Sequence, residues 1–403
     1  MKIQNTMSNL ELDKNRKPNI RQQGHPATIT RRNALKHLVT GVAAVAMAPA
    51  AFRTSTTAAG ASGAAGKAVS GNATLALVGG AHIHAPNFAK RMAEASHVTT
   101  KYVWDPSHET ARARQEVTGG QIVDNPEVIF NDPEVDGVVI CSQTKLHKDL
   151  VPPAVRAGKH LFVEKPVGMN GDEAIRIATA VDKAGVIFQT GYFMRNSGVN
   201  QKARELIQDG SLGKITRLRL SNVHRGALDG WFDEEWRWMA NIDQAGVGAF
   251  GDLGSHVFDL LLWFMEGDRP RSCTGYIDKV LARYPGCDEY GEGMVVFDSR
   301  AVATVAGGWV DRANPNQVEV SGTKGHLRVT DRELFVTIPD RDIDGTRPWT
   351  DLPESLKHPV ELFFDAVAGQ DGLPMISAYE AARVNRLVSE IYRAHEKSSW
   401  VHL

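Results

Sequence analysis

Asp252 and His256 stand four residues apart in Gly248-Ala-Phe-Gly-Asp252-Leu-Gly-Ser-His256-Val-Phe-Asp259-Leu-Leu-Leu-Trp263. On a helix that spacing stacks the two side chains on one face. A carboxylate beside an imidazole orients it and sets its proton affinity, as a general base taking a hydroxyl proton requires. A capping aspartate followed by a buried, hydrogen-bonded histidine would leave the same trace. Two metal ligands at helical spacing are a further reading, but no obvious third ligand accompanies them, so no metal is assigned. A second candidate is Lys165 in Glu164-Lys165-Pro166, directly after the apolar run Leu161-Phe162-Val163. An ammonium there could hold a substrate hydroxyl and stabilise a developing alkoxide.

Such residues need a scaffold, and the pattern from Ala73 onward supplies one. Thr74 to Val78 is a short buried-strand run, followed by the turn Gly79-Gly80-Ala81-His82-Ile83-His84 and a helical stretch from Ala85 to Ala95. Strand, glycine turn and helix open a dinucleotide-binding unit, in which backbone N–H groups approach a pyrophosphate at the helix start. Gly79 fits the first glycine, Ala81 stands where the second belongs, and His84 replaces the third; Gly80 and His82 complete the candidate cradle. A second strand, Val98 to Trp104, ends at Asp105. Its carboxylate can accept ribose hydroxyls and would repel a 2′-phosphate, which favours NAD and leaves NADP open. A third run, Val135 to Ile140, leads into Cys141-Ser142-Gln143-Thr144-Lys145-Leu146-His147. Alternating strands and helices predict a parallel, doubly wound sheet, with ligands beyond the carboxyl ends of its strands.

The 403 residues allow two domains, and a net charge of −1 gives no global field for nucleic acid. Three cysteines form no disulfide framework and no paired metal-ligand spacing; Cys273 and Cys287 could pair in an oxidising compartment. Arg31-Arg32 before the apolar segment Leu38 to Phe52 resembles a twin-arginine export signal, and that segment is too short for a membrane span. The chain therefore reads as 1–52 signal region, 53–72 flexible linker, 73–190 dinucleotide-binding domain and 191–403 substrate-binding and oligomerisation domain. Export places it in the periplasm or beyond.

Several ordered motifs together resemble the Gfo/Idh/MocA oxidoreductases. They are Gly158-Lys159-His160 through Glu164-Lys165-Pro166, Gly191-Tyr192-Phe193-Met194-Arg195, Trp236-Arg237, and Asp252-x-Gly254-x-His256. The loop before His147 departs from the family's Thr-Pro-Asn-x-x-His type, reading Ser142-Gln143-Thr144. The resemblance implies an α/β chain with an N-terminal Rossmann domain, a C-terminal α/β domain carrying a large, mostly antiparallel sheet, and assembly into dimers or tetramers. It also implies hydride transfer between NAD and a secondary hydroxyl of a sugar or polyol. His256 is then the base, Asp252 its orienting partner and Lys165 the holder of the reacting oxygen. Ser142, His147, Glu164, Arg195, Trp236 and Arg237 join the cofactor-binding set, and His224 and Arg225 help choose the substrate. The glycines from Gly248 to Gly254 would give a sugar ring and nicotinamide room at the backbone. If free NAD is scarce outside the cytoplasm, the cofactor is held tightly. A redox-assisted glycosidase, epimerase or lyase is then the alternative, with a non-catalytic sugar sensor behind it.

Overall fold

The computed structural model describes residues 71–403; the expected signal region and the expected linker up to residue 70 lie outside the described residues. The first sheet is built from β1 (Ala73–Val78), α1 (Ala85–Glu94), β2 (Val98–Trp104), α2 (His108–Thr118), β3 (Gln121–Ile122), α3 (Pro126–Asn131), β4 (Gly137–Ile140), α4 (His147–Arg156), β5 (His160–Val163), α5 (Gly171–Ala184) and β6 (Phe188–Thr190). The strands run parallel in the order β3-β2-β1-β4-β5-β6. β4 is buried throughout because helices cover both faces, which is why such strands read as unbroken apolar runs. The order reverses between β1 and β4, and the crevice beyond their carboxyl ends is where this topology takes ligands. α5 shows the local logic: Asn170 caps its first turn by accepting the Glu173 N–H, and Gly185 ends it in the left-handed conformation.

The second part contains α6 (Gly198–Gln208), β7 (Ile215–Val223), α7 (Ile242–Ala245), α8 (Ala249–Phe264), β8 (Pro270–Asp278), β9 (Tyr290–Phe297), β10 (Val302–Gly308), β11 (Asn316–Gly322), β12 (His326–Thr330), β13 (Glu333–Ile338), β14 (Ile343–Asp344), α9 (Pro359–Val367), α10 (Ala378–Glu396) and β15 (Val401–His402). Its sheet has nine strands in the order β14-β13-β12-β11-β7-β10-β9-β8-β15, antiparallel except for β7 against β10. The chain then returns to the first sheet: Val360, Phe363 and Phe364 of α9 share a core with Leu75, Leu77 and Phe162. The 191–403 segment is therefore not confined to the second sheet.

α8 is buried along its whole length except at Trp263, as expected of a helix that is apolar all round. It lies against β7 and β10 so closely that a Cβ on Gly307 would fall 2.7 Å from the Phe250 carbonyl oxygen. Its start is capped from outside. Asp288 accepts the Phe250 N–H at 2.8 Å, and the Tyr392 hydroxyl accepts those of Gly248 and Gly251. A Cβ on Gly248 would meet the Asp288 carboxylate at 2.1 Å. These glycines thus admit the cap and close helix packing, not a ligand ring. All three cysteines are free and buried, so Cys273 and Cys287 are not paired.

Candidate active site

β5 delivers Lys165 and the first turn of α8 delivers Asp252. The Lys165 Nζ donates to Asp252 Oδ1 at 2.6 Å, and Trp309 Nε1 donates to Oδ2 at 3.1 Å. Burial alone would raise the Asp252 pKa, yet the Lys165 ammonium holds the carboxyl well below the usual carboxylate range. Asp252 is therefore spent on Lys165 and Trp309, and it does not orient His256 by a hydrogen bond. His256 Nδ1 is buried with no hydrogen-bond partner among the described residues. Its ring is fixed by edge contacts, with Phe193 at 4.9 Å and Tyr192 at 6.0 Å between centroids. Burial, then the neighbouring Lys165 charge, push its pKa well below that of free histidine, so the imidazole is neutral.

Lys165, Asp252 and His256 share a cavity of about 330 Å³ with His84, His224 and Trp231. That volume is at the small end of ligand sites. Arg225 pairs instead with Asp229 at the surface. Sequence reasoning noticed His84 only as a possible neighbour of the turn. Trp309 was missed altogether; its one trace is its place directly after Gly307-Gly308 at the end of β10.

At the glycine turn, Gly79 has φ +85° and lies so near Ser142 that a Cβ would come within 2.4 Å of its Cβ. Asp105 follows β2 and is buried, accepting the Gly80 N–H at 2.7 Å and the Ser107 N–H at 2.8 Å. The carboxylate that could take a ribose diol thus also braces the turn. The N–H groups of Gly79, Gly80, His82 and His84 go to Trp104 O, Asp105, Cys141 O and His82 Nδ1. Those of Ala81 and Ile83 have no partner among the described residues. Past the next strand end, the Ser142 hydroxyl donates to the Gln143 carbonyl, while Gln143 Oε1 and His147 Nε2 are buried and without a hydrogen-bond partner among the described residues. His147 Nδ1 lies 3.3 Å from Val167 O. Free N–H groups, orphaned polar atoms and a carboxylate along one edge suit a dinucleotide. The same crevice has a roof, however. Trp238 Nε1 donates to Ala81 O at 2.9 Å, and Trp238 and Met239 leave a space of about 10 Å³ beside His82, Thr144 and Pro166.

Three residues of the expected cofactor set lie elsewhere. Arg195 makes a two-point pair with Asp259, at 2.8 and 2.5 Å, and a third bond to Glu380 at 2.8 Å. It ties β6's following turn to α8 and α10, and all of its charge is used there. The Arg237 guanidinium stands 5.3 Å over the Tyr284 ring, beside a surface hollow of about 410 Å³ that contains neither Lys165 nor His256. Trp236 packs half-buried with the Trp238 cluster. The tryptophan that touches the glycine turn is Trp238, two positions on.

Two family models match this chain: "Oxidoreductase family, NAD-binding Rossmann fold" over residues 74–192 and "GFO/IDH/MocA C-terminal domain" over 200–328. Together they span more than half of it, and the chain belongs to the Gfo/Idh/MocA family of oxidoreductases. It is 36% identical over 234 residues to myo-inositol 2-dehydrogenase of Thermotoga maritima (55% of this chain, 65% of that protein). It is 28% identical over 229 residues to 1,5-anhydro-D-fructose reductase of Ensifer adhaerens (56% and 67%). The chain spans roughly a third to two thirds of the first curated relatives it matches. Among solved structures, levoglucosan dehydrogenase in complex with NADH and levoglucosan has the same fold, with a TM-score of 0.70 at 22% identity over 82% of this chain and 99% of that one. No helix among the described residues is long and apolar enough to cross a membrane.

Proposed function

We propose that this protein moves a hydride between NAD and a secondary hydroxyl of a sugar or polyol. The observation that carries the reading is the convergence of Lys165, Asp252 and His256 on one cavity at the strand ends. The nicotinamide, when bound, supplies the hydride acceptor. Lys165, held by Asp252, donates to the reacting oxygen and stabilises charge on it. His256, neutral and unpartnered at Nδ1, takes the hydroxyl proton, and in the reverse direction returns it. Asp105 receives the adenosine ribose and disfavours a 2′-phosphate.

The twin-arginine-like leader, by which the protein is exported, supports a cofactor retained through the catalytic cycle. A retained cofactor favours, as second reading, a redox-assisted glycosidase, epimerase or lyase. Assembly into dimers or tetramers belongs to the same proposal. Mass spectrometry of the purified protein for bound nucleotide, followed by a sugar screen watched at the nicotinamide absorbance band, tests both. Net absorbance change with an added acceptor supports the dehydrogenase. Product formed with no acceptor and no net change supports the redox-neutral reading. Absence of bound nucleotide together with no NAD-linked turnover would overturn both.

A further inference from the structure

His82 and Glu164 belong to the expected cofactor set, yet with His84 they also form a cluster of donor atoms at the glycine turn. His82 and His84 come from the turn and Glu164 from the end of β5, and one donor atom from each lies within 4.8 Å of the others. His84 Nδ1 is 3.3 Å from Glu164 Oε1, long for a charge-assisted hydrogen bond. It matches the edge of a tetrahedron: two donors each about 2.0–2.1 Å from a common ion stand roughly 3.3–3.4 Å apart. Glu164 is fully buried, and its Oε2 has no hydrogen-bond partner among the described residues. Buried carboxylate oxygens are almost always satisfied, so a bare one needs an explanation. Gly191 backs this carboxylate, since a Cβ there would fall 2.7 Å from Oε2.

We propose that His82, His84 and Glu164 bind a divalent transition-metal ion, zinc by the character of the donors. Two imidazoles and one carboxylate form a set that leaves a fourth position for an outside oxygen. His84 lies in the wall of the cavity that holds Lys165 and His256, so that position opens toward the same ligand. His82 contributes one ring nitrogen, and its Nδ1 accepts the His84 N–H at 3.1 Å. Bound there, the ion would act as a Lewis acid on a sugar hydroxyl or carbonyl oxygen. Only the identity of that oxygen rests on the function proposed above; metal binding does not.

The test uses the untagged chain, stripped with chelator and titrated with zinc chloride by calorimetry, alongside His84→Ala and Glu164→Gln. Circular dichroism checks the fold of each. One zinc per chain is expected, with affinity falling about 100-fold or more in either variant. Cobalt(II) in place of zinc should give the intense visible bands of a four-coordinate site in the parent protein. No stoichiometric zinc binding overturns the proposal, as does unchanged affinity in both variants. Should a variant fail to fold, the cobalt spectrum of the parent decides, and a weak six-coordinate spectrum refutes the site. Zinc bound without turnover on any sugar sinks the dehydrogenase reading and leaves the metal site standing. NAD-linked turnover without zinc binding does the reverse.

Discussion

Lys165 Nζ and Asp252 Oδ1 lie 2.6 Å apart, joining the end of a parallel strand to the first turn of a helix on the other sheet. Both groups are nearly excluded from water. Breaking a buried pair by removing one charge is strongly destabilising, because the other is left uncompensated. Asp252→Asn keeps the shape and an acceptor for Trp309, yet strands the ammonium. Its unfolding free energy should fall by about 3–5 kcal/mol in denaturant titration. Turnover should fall as well, since Lys165 loses its anchor. A loss below about 1 kcal/mol would show that water reaches the pair.

His256 tests the chemistry apart from the fold. Its ring is held by Phe193 and Tyr192 rather than by a hydrogen bond at Nδ1. His256→Gln should therefore leave the thermal midpoint close to the parent's. The rate should drop by about 10²–10⁴-fold, as when a positioned base is removed. NAD affinity, followed by calorimetry, should stay within a factor of about two. Unchanged turnover would remove His256 from the mechanism.

Much of this was legible in the chain. The unbroken apolar strands, the glycine turn and the acid after β2 announced the parallel sheet, because local burial and turn chemistry leave local traces. Lys165, Asp252 and His256 could be read as reactive for the same reason. Their pairing could not. Whether Asp252 faces His256 on its own helix or Lys165 on another domain depends on how two sheets dock, and helical spacing does not record that. Arg195 misled because a buried arginine paired with Asp259 and Glu380 has the same one-residue signature as a ligand-binding one. Trp238 was passed over for Trp236 because the short turn between them sets which ring swings onto Ala81.

Arg195 separates a structural arginine from a cofactor contact. Arg195→Met leaves Asp259, which is fully buried, without its two-point partner. The expected loss is about 3–5 kcal/mol of stability. Arg195→Lys should recover part of it, since one ammonium cannot reproduce the fork. NAD affinity of the folded Lys variant should match the parent's. A selective loss of NAD binding at unchanged stability would return Arg195 to the cofactor site.

Acid should weaken the fold through its buried neutral histidines. Burial lowers the pKa of His147 to about 4, against a backbone hydrogen bond at Val167 that raises it. Burial likewise lowers His358 to about 4, helped by Arg91. Between pH 6.5 and about 4 the unfolded chain takes up protons that the folded chain refuses. The stabilisation from each group is therefore complete above pH 6.5 and lost as pH falls toward 4. Each contributes a slope of about 1.4 kcal/mol per pH unit within that window. His147→Asn, which keeps a donor toward Val167, should flatten the acid limb of stability against pH by one proton. An unchanged slope would mean that His147 is protonated in the folded protein.

The contact between Trp238 Nε1 and Ala81 O, 2.9 Å long, stands over the turn that must receive the dinucleotide's phosphates. Trp238 and Met239 pack beside His82, Thr144 and Pro166, and the expectation is that NAD binds with this segment lifted. The indole N–H bond is broken in that step, and such a bond contributes about 1 kcal/mol net. Trp238→Phe keeps most of the ring and removes the donor. NAD should then bind about fivefold tighter by calorimetry, because the closed form it must open is less favoured. Amide exchange across residues 235–247 should rise in the same variant. Weaker NAD binding, with exchange unchanged, would instead make Trp238 a contact of the bound cofactor and leave the roof in place during turnover.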